Sequence, residues 1–103
     1  MLNTFINAIN TRVKIRLTFY SKEDGQHLTR LTAPMDYGPS RKAKNQDSRF
    51  HFWDYESDKG SHVLSLLPNQ IVSMEETHES FNPSEFVTWP PNWFVSRDWG
   101  IHS

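Results

Sequence analysis

Apolar and polar residues alternate with two different periods at the start of the chain. Over residues 2–9 the apolar positions recur at helical spacing, which predicts a short amphipathic helix. Over residues 12–20 they occupy every second position, which predicts a strand with one buried face. Because an isolated helix this short is unstable in water, we expect its apolar stripe to pack against the sheet.

A hairpin and a polar loop are predicted next. Turn residues at 22–25 separate the first strand from an extended stretch that ends near Pro34. Residues 36–48 are polar and contain glycine and proline, so they predict a loop. The cations of this loop are Arg41, Lys42 and Lys44.

Three further strand patterns, at residues 49–56, 62–67 and 71–77, are separated by turn residues. One helix followed by five short strands predicts a mainly β fold with an N-terminal helix. Because closure removes exposed strand edges from so short a chain, we expect a five-stranded antiparallel small barrel.

The strand pattern RFHFWDYE, residues 49–56, carries rings on both of its faces. Alternation places Phe50 and Phe52 on one face, which we expect to be core. The opposite face carries His51, Trp53 and Tyr55. Aromatic clusters usually serve packing, so we expect the C-terminal rings to cover this second face, with a ligand site as the alternative.

Residues 84–103 form an aromatic extension, and the pair Pro90-Pro91 keeps it out of a regular helix or a central strand. The rings that we expect to make its interactions are Trp89, Trp93, Phe94 and Trp99. So much apolar surface would be adhesive in water. We therefore expect the extension to pack on the barrel, residues 1–83, or on a partner subunit.

Composition and charge narrow the classes of function. A chain of 103 residues with a net charge of -1 fits one domain and does not demand nucleic acid or a membrane as partner. The absence of cysteine excludes disulfides, thiolate nucleophiles and sulfur-ligated zinc. Since neither a membrane-spanning run nor a signal-peptide pattern occurs, we expect a cytoplasmic protein.

Motifs for catalysis or metal binding do not emerge from the sequence. The 5 histidines never occur at the short spacings that place two metal ligands on one element. There is also no phosphate-cradling glycine loop and no nucleophile elbow. We therefore expect no enzyme activity, no metal and no cofactor, and we interpret Arg97-Asp98 as a surface pair or a tether for the extension.

A binding surface for anions is the chemistry that the pattern favours. Arg16 faces outward on the first strand, and we expect Arg30 beside it on the next strand. Guanidinium groups next to stackable rings suit phosphates and unpaired bases. The candidate ligand-binding residues are Arg16, Tyr20, Arg30, His51, Trp53 and Tyr55. The alternative is a solvated face whose charges pair across the sheet.

Specific positions resemble the WYL domain, a small barrel of the Sm-like or SH3-like kind found in bacterial transcription regulators. The resemblance covers roughly residues 5–83. The stretch FYSKEDGQHLTRLTAP is similar to that family's first hairpin, and HVLSLLPNQIVSMEET is similar to its last. The positions that match are Tyr20, Gly25, Arg30, Pro34, Ile71, Phe81 and Pro83.

The resemblance implies a non-enzymatic regulatory or sensing module that holds an anionic ligand, either a nucleotide or single-stranded nucleic acid. The name-giving triplet of the family aligns with residues 50–52, and Gln70 stands where a basic residue is common. The family's DNA-binding helix-turn-helix is absent, so we do not expect this chain to read duplex DNA alone. The alternative function is protein interaction or homodimerisation without a small-molecule ligand.

Overall fold

The computed structural model describes residues 1–41 and 44–103, so Lys42 of the predicted basic loop lies outside the described residues. Within the described residues, one α-helix precedes five strands. The helix is α1 (Leu2–Thr11), and the strands are β1 (Val13–Ser21), β2 (Gln26–Pro39), β3 (Ser48–Asp54), β4 (His62–Leu66) and β5 (Ile71–Ser80). The prediction of a mainly β fold with an N-terminal helix is confirmed.

The five strands form one antiparallel sheet in the order β4-β3-β2-β1-β5. The predicted barrel closure is wrong, because the sheet stays open with β4 and β5 at its edges. Both edges are protected in other ways that proteins commonly use. The edge strand β4 has only 5 residues, and β5 exposes the carboxylates of Glu75, Glu76 and Glu79.

One face of the sheet, here called the helix face, is covered by α1. Phe50 and Phe52 point to this face and are 2% and 0% exposed, as their alternation in the sequence predicts. The Phe5 ring of the helix meets both of them edge to face, with centroid distances of 5.0 and 5.2 Å. Ala8 and Ile9 are buried beside Phe5. The apolar stripe therefore stabilises the helix through packing rather than through intrinsic propensity.

Arg12 ends the helix instead of beginning the first strand. Its backbone adopts the left-handed conformation, with φ 57°, and its N–H donates to the carbonyl of Ala8. The side-chain Nη2 donates to the carbonyl oxygen of Asp98 at 2.9 Å. The helix terminus is thereby connected to the C-terminal residues.

The second strand continues past Pro34, where the sequence predicted a loop. A bulge between Pro34 and Asp36 shifts the register, and pairing with β3 then runs on to Pro39. An extra residue at a bulge accommodates proline, which has no N–H to donate to the ladder. Because of this shift, Asp36 lies opposite His51, on the face away from the helix.

Candidate functional site

The face of the sheet away from α1, here called the outer face, is covered in part by the C-terminal segment, residues 84–103. Trp53 stacks on Phe86 with a centroid distance of 5.8 Å and an interplanar angle of 18°. The Tyr55 hydroxyl donates to Oε1 of Glu85 at 3.2 Å. Burial and the adjacent Glu85 carboxylate raise the pKa of Tyr55 above its ordinary value. Both predicted ligand-binding rings are therefore engaged with the protein's own C-terminal segment.

His51 uses both of its ring nitrogens within the sheet. Nε2 lies 2.9 Å from the carbonyl oxygen of Gly38, and Nδ1 lies 2.7 Å from Oγ of Ser65. Because a carbonyl oxygen only accepts, Nε2 carries the hydrogen that forms the first bond. The imidazole is thus fixed in orientation and presents its ring, not a free nitrogen, to the surface.

Arg30 lies on the opposite face from Arg16, so the predicted stripe of these two arginines is not formed. In the antiparallel register Arg30 pairs with Leu17, which is a core residue, whereas Arg16 pairs with Leu31. The Arg30 guanidinium donates to the carbonyl of Glu56. It also lies 3.9 Å from a carboxylate oxygen of buried Asp54.

Arg16 and Tyr20 remain exposed on the outer face of β1. Tyr20 is 40% exposed and makes an edge contact with His27 at a centroid distance of 5.4 Å. These are the members of the predicted ligand-binding set that lie in the open, away from the C-terminal segment.

Asp36 anchors the C-terminal segment to the sheet, a role that the sequence did not reveal. Its carboxylate is buried and accepts from the backbone amides of Phe94 and Val95, each at 3.0 Å. It also lies 3.3 Å from Nη2 of Arg97, whose side chain is 1% exposed. Charge-assisted bonds of this kind are the strongest hydrogen bonds available to a folded chain.

The Arg97 guanidinium is held by two indole rings as well as by Asp36. It lies 4.2 Å from the centroid of Trp93 and 4.4 Å from that of Trp99. Its Nη1 donates to the carbonyl of Met35. Burial lowers the pKa of Arg97 to about 10, against the opposing effect of Asp36, so the group is charged at neutral pH. We call Asp36, Trp93, Arg97 and Trp99 the Arg97 clamp.

The tryptophans of the segment differ in how far they are covered. Trp99 is 2% exposed, and its Nε1 donates to the carbonyl of Ile9 in α1 at 2.8 Å. Trp93 is half-buried and its Nε1 donates to the carbonyl of His102. Trp89 and Phe94 are 43% and 49% exposed. The first pair thus holds the segment in place, and the second pair faces solvent.

An open cleft of about 560 Å³, here called the outer cleft, lies between the segment and the sheet. Its aromatic lining comes from Trp89, Trp93 and Phe94. From the sheet side it is lined by Ser40, Arg41 and His51, among others. Its volume falls within the range of about 300 to 1,000 Å³ that is usual for small-molecule sites.

Phe94 and Arg41 are fixed at the cleft by contacts with each other and with the sheet. The Arg41 guanidinium lies 4.4 Å from the Phe94 centroid, and its Nη2 donates to the carbonyl of Asn92 at 2.7 Å. A Cβ at Gly38 would come within 2.4 Å of the Phe94 ring. Glycine at position 38 therefore allows the ring to lie against the β2 backbone.

Comparison of the chain with family models, with curated proteins and with solved structures finds no match. None of the helices in the described part of the chain combines the length and the apolar character needed to cross a membrane. The geometry of the outer cleft is therefore the feature of the molecule that bears on function.

Proposed function

We propose that this chain is a non-enzymatic regulatory or sensing module, and that the outer cleft binds an anionic ligand with an aromatic ring. The ligand class is a nucleotide or single-stranded nucleic acid. The observation that supports it is an exposed indole, Trp89, in the same cleft as the guanidinium of Arg41. Indole faces stack bases and guanidinium groups bind phosphates, so the two groups suit the two halves of such a ligand.

The predicted resemblance to a WYL domain over residues 5–83 points to the same ligand class. The site itself, however, differs from the residue set that the sequence suggested. Arg30, Trp53 and Tyr55 have partners within the chain, as described above, and His51 contributes its ring to the outer cleft. The competing location for the same ligand is the exposed surface around Arg16 and Tyr20 on β1.

Calorimetric titration of the full chain with adenosine 5′-monophosphate and with a short single strand tests this function. We expect at least one of them to bind with measurable heat. Trp89→Ala should lower the affinity by about fivefold or more, because the stacking contact of one base with the indole is lost. Tyr20→Ala, which removes another exposed ring, distinguishes the two locations. Circular dichroism checks that each variant is folded.

Two results would count against the proposal. If neither compound binds, the ligand class is wrong. If Tyr20→Ala abolishes binding and Trp89→Ala leaves it intact, the ligand lies on the outer face of β1 instead of in the cleft.

A specific observation also supports the second function, a protein-interaction or homodimerisation module. Val63 is 46% exposed and lines the outer cleft together with exposed Trp89 and Phe94. Exposed apolar residues that cluster on one surface are typical of protein interfaces. Light scattering during size-exclusion chromatography tests this function. A dimer that becomes monomeric in Phe94→Ser supports it, and a monomer at all concentrations contradicts homodimerisation.

A further inference from the structure

The charge of the residues that line the outer cleft helps to distinguish a nucleotide from a single strand as its ligand. Among the described lining residues, the formally charged side chains are Asp36 and Arg41. Asp36 is paired with Arg97 and accepts hydrogen bonds from three backbone amides, those of Tyr37, Phe94 and Val95. Within the described lining, Arg41 is therefore the cation without an acidic partner, and its guanidinium matches one anionic group. Sites for single strands instead follow the backbone with a series of cations.

Two of the hydrogen-bonding groups at the cleft, the Arg41 guanidinium and the Trp89 indole, can only donate. The Arg41 guanidinium has five N–H groups, of which one donates to the Asn92 carbonyl. Within the described residues, the Ser40 hydroxyl, the Asn92 side-chain amide and the Trp89 Nε1–H make no hydrogen bond to the chain. Because Arg41 and Trp89 only donate, while Ser40 and Asn92 can donate as well as accept, a ligand with several acceptors, such as a phosphate, can bond to all four groups.

Trp89 offers a larger stacking surface to a ligand in the cleft than Phe94 does. Its ring contact within the described residues is an edge contact with Trp93, at a centroid distance of 6.2 Å and an angle of 62°. Phe94, in comparison, is already in contact with Arg41 and with the backbone at Gly38. A single base is therefore expected on the Trp89 indole, with its phosphate directed to Arg41.

Taken with the volume of about 560 Å³, this arrangement suits one nucleotide better than a strand. Resting on the proposed function, we infer that the ligand of the outer cleft is a mononucleotide, with its base on Trp89 and its phosphate at Arg41 and Ser40. A strand would place its further phosphates beyond Arg41, which among the described lining residues is the cation without an acidic partner.

The test compares adenosine 5′-monophosphate, adenosine and a 5′-phosphorylated strand of about eight deoxyadenylates by calorimetry. The monophosphate is expected to bind about tenfold more tightly than adenosine, because of the charge-assisted bonds to Arg41. The strand is expected to bind no more tightly, per nucleotide, than the monophosphate. In Arg41→Gln the monophosphate and adenosine should bind with the same affinity. Lys22→Gln, which removes an exposed cation in the β1–β2 turn, should keep the tenfold preference.

Three other outcomes would overturn the mononucleotide inference. Affinity that rises with strand length and falls steeply with salt overturns the mononucleotide inference but keeps the proposed function. An absence of binding by all three compounds overturns both. A phosphate preference that survives Arg41→Gln and disappears in Arg16→Gln places the anion on β1 and overturns the inference as well.

Discussion

The two faces of the sheet are covered in physically different ways. On the helix face, α1 packs Phe5 edge to face against Phe50 and Phe52, so the centre of the contact consists of apolar rings. On the outer face, the C-terminal segment stacks Phe86 on Trp53 and is held in addition by the buried ion pair of Asp36 with Arg97. The difference is that a buried ion pair adds to ring packing on the outer face, where the covering segment, residues 84–103, contains no α-helix or strand. The outer cleft lies beside these contacts, between the segment and the sheet.

The helix face should respond most strongly to mutation. Phe52→Ala removes a fully buried ring that contacts Phe5, and it is expected to lower the free energy of unfolding by about 3 to 5 kcal/mol. Phe94→Ala removes a ring that is 49% exposed and should cost about 1 kcal/mol or less. Urea denaturation measures both. Equal effects of the two substitutions would show that the helix face is not the main core.

Breaking the clamp should release the outer covering and leave the sheet folded. Arg97→Met leaves the Asp36 carboxylate buried without its cation, at a cost of about 3 kcal/mol. We expect limited proteolysis to cut within residues 84–103 while residues 1–83 resist. Adding Asp36→Asn to Arg97→Met should restore part of the stability, because the unpaired charge is gone. A cleavage pattern identical to that of the original chain would contradict the role of the clamp.

Trp99 connects the two coverings, so its indole N–H provides a more selective test. The Nε1 group donates to the carbonyl of Ile9 at 2.8 Å, close to the end of α1. Trp99→Phe keeps a ring but removes this donor, with an expected loss of about 1 kcal/mol in thermal denaturation. An unchanged denaturation midpoint would mean that this hydrogen bond contributes no stability beyond that of the packed ring.

The smallest expected effect concerns Tyr55 at alkaline pH. Its pKa is raised by burial and by Glu85, so the unfolded chain loses the phenol proton at a lower pH than the folded chain does. The stabilisation is complete below a pH of about 10 and is lost as the pH rises further. The free energy of unfolding should therefore fall less steeply above that pH in Tyr55→Phe than in the original chain. Tyr20→Phe serves as the control, and an equal slope for both variants would contradict the assignment.

The helix face was predictable because its pattern is local. The helical spacing over residues 2–9 and the alternation around Phe50 and Phe52 each lie within one element, and each has the period of that element. The open sheet was not predictable in the same way. Edge protection by a short β4 and an acidic β5 depends on which strands lie outermost, and that order is a property of the whole chain.

The outer face was predictable only in part. The size and apolar character of the tryptophans predict that the segment packs on the sheet, but not that Trp99 is buried while Trp89 is 43% exposed. The partner of Arg97 does not follow from the sequence, because Asp36 lies 61 positions away in a segment that looks like a loop. Its position depends on the bulge after Pro34, which turns its side chain to the outer face. The outer cleft forms between these non-local contacts, so no local sequence motif indicates it.

Hydrogen exchange of the backbone amides of Phe94 and Val95 tests the docking of the C-terminal segment most directly. Both amides donate to the Asp36 carboxylate at 3.0 Å, so they should exchange slowly in the original chain. In Asp36→Ala they should exchange rapidly, while the amides of β3 stay protected. Exchange of Phe94 and Val95 at the rate of an unstructured peptide in the original chain would contradict the docked segment and, with it, the outer cleft.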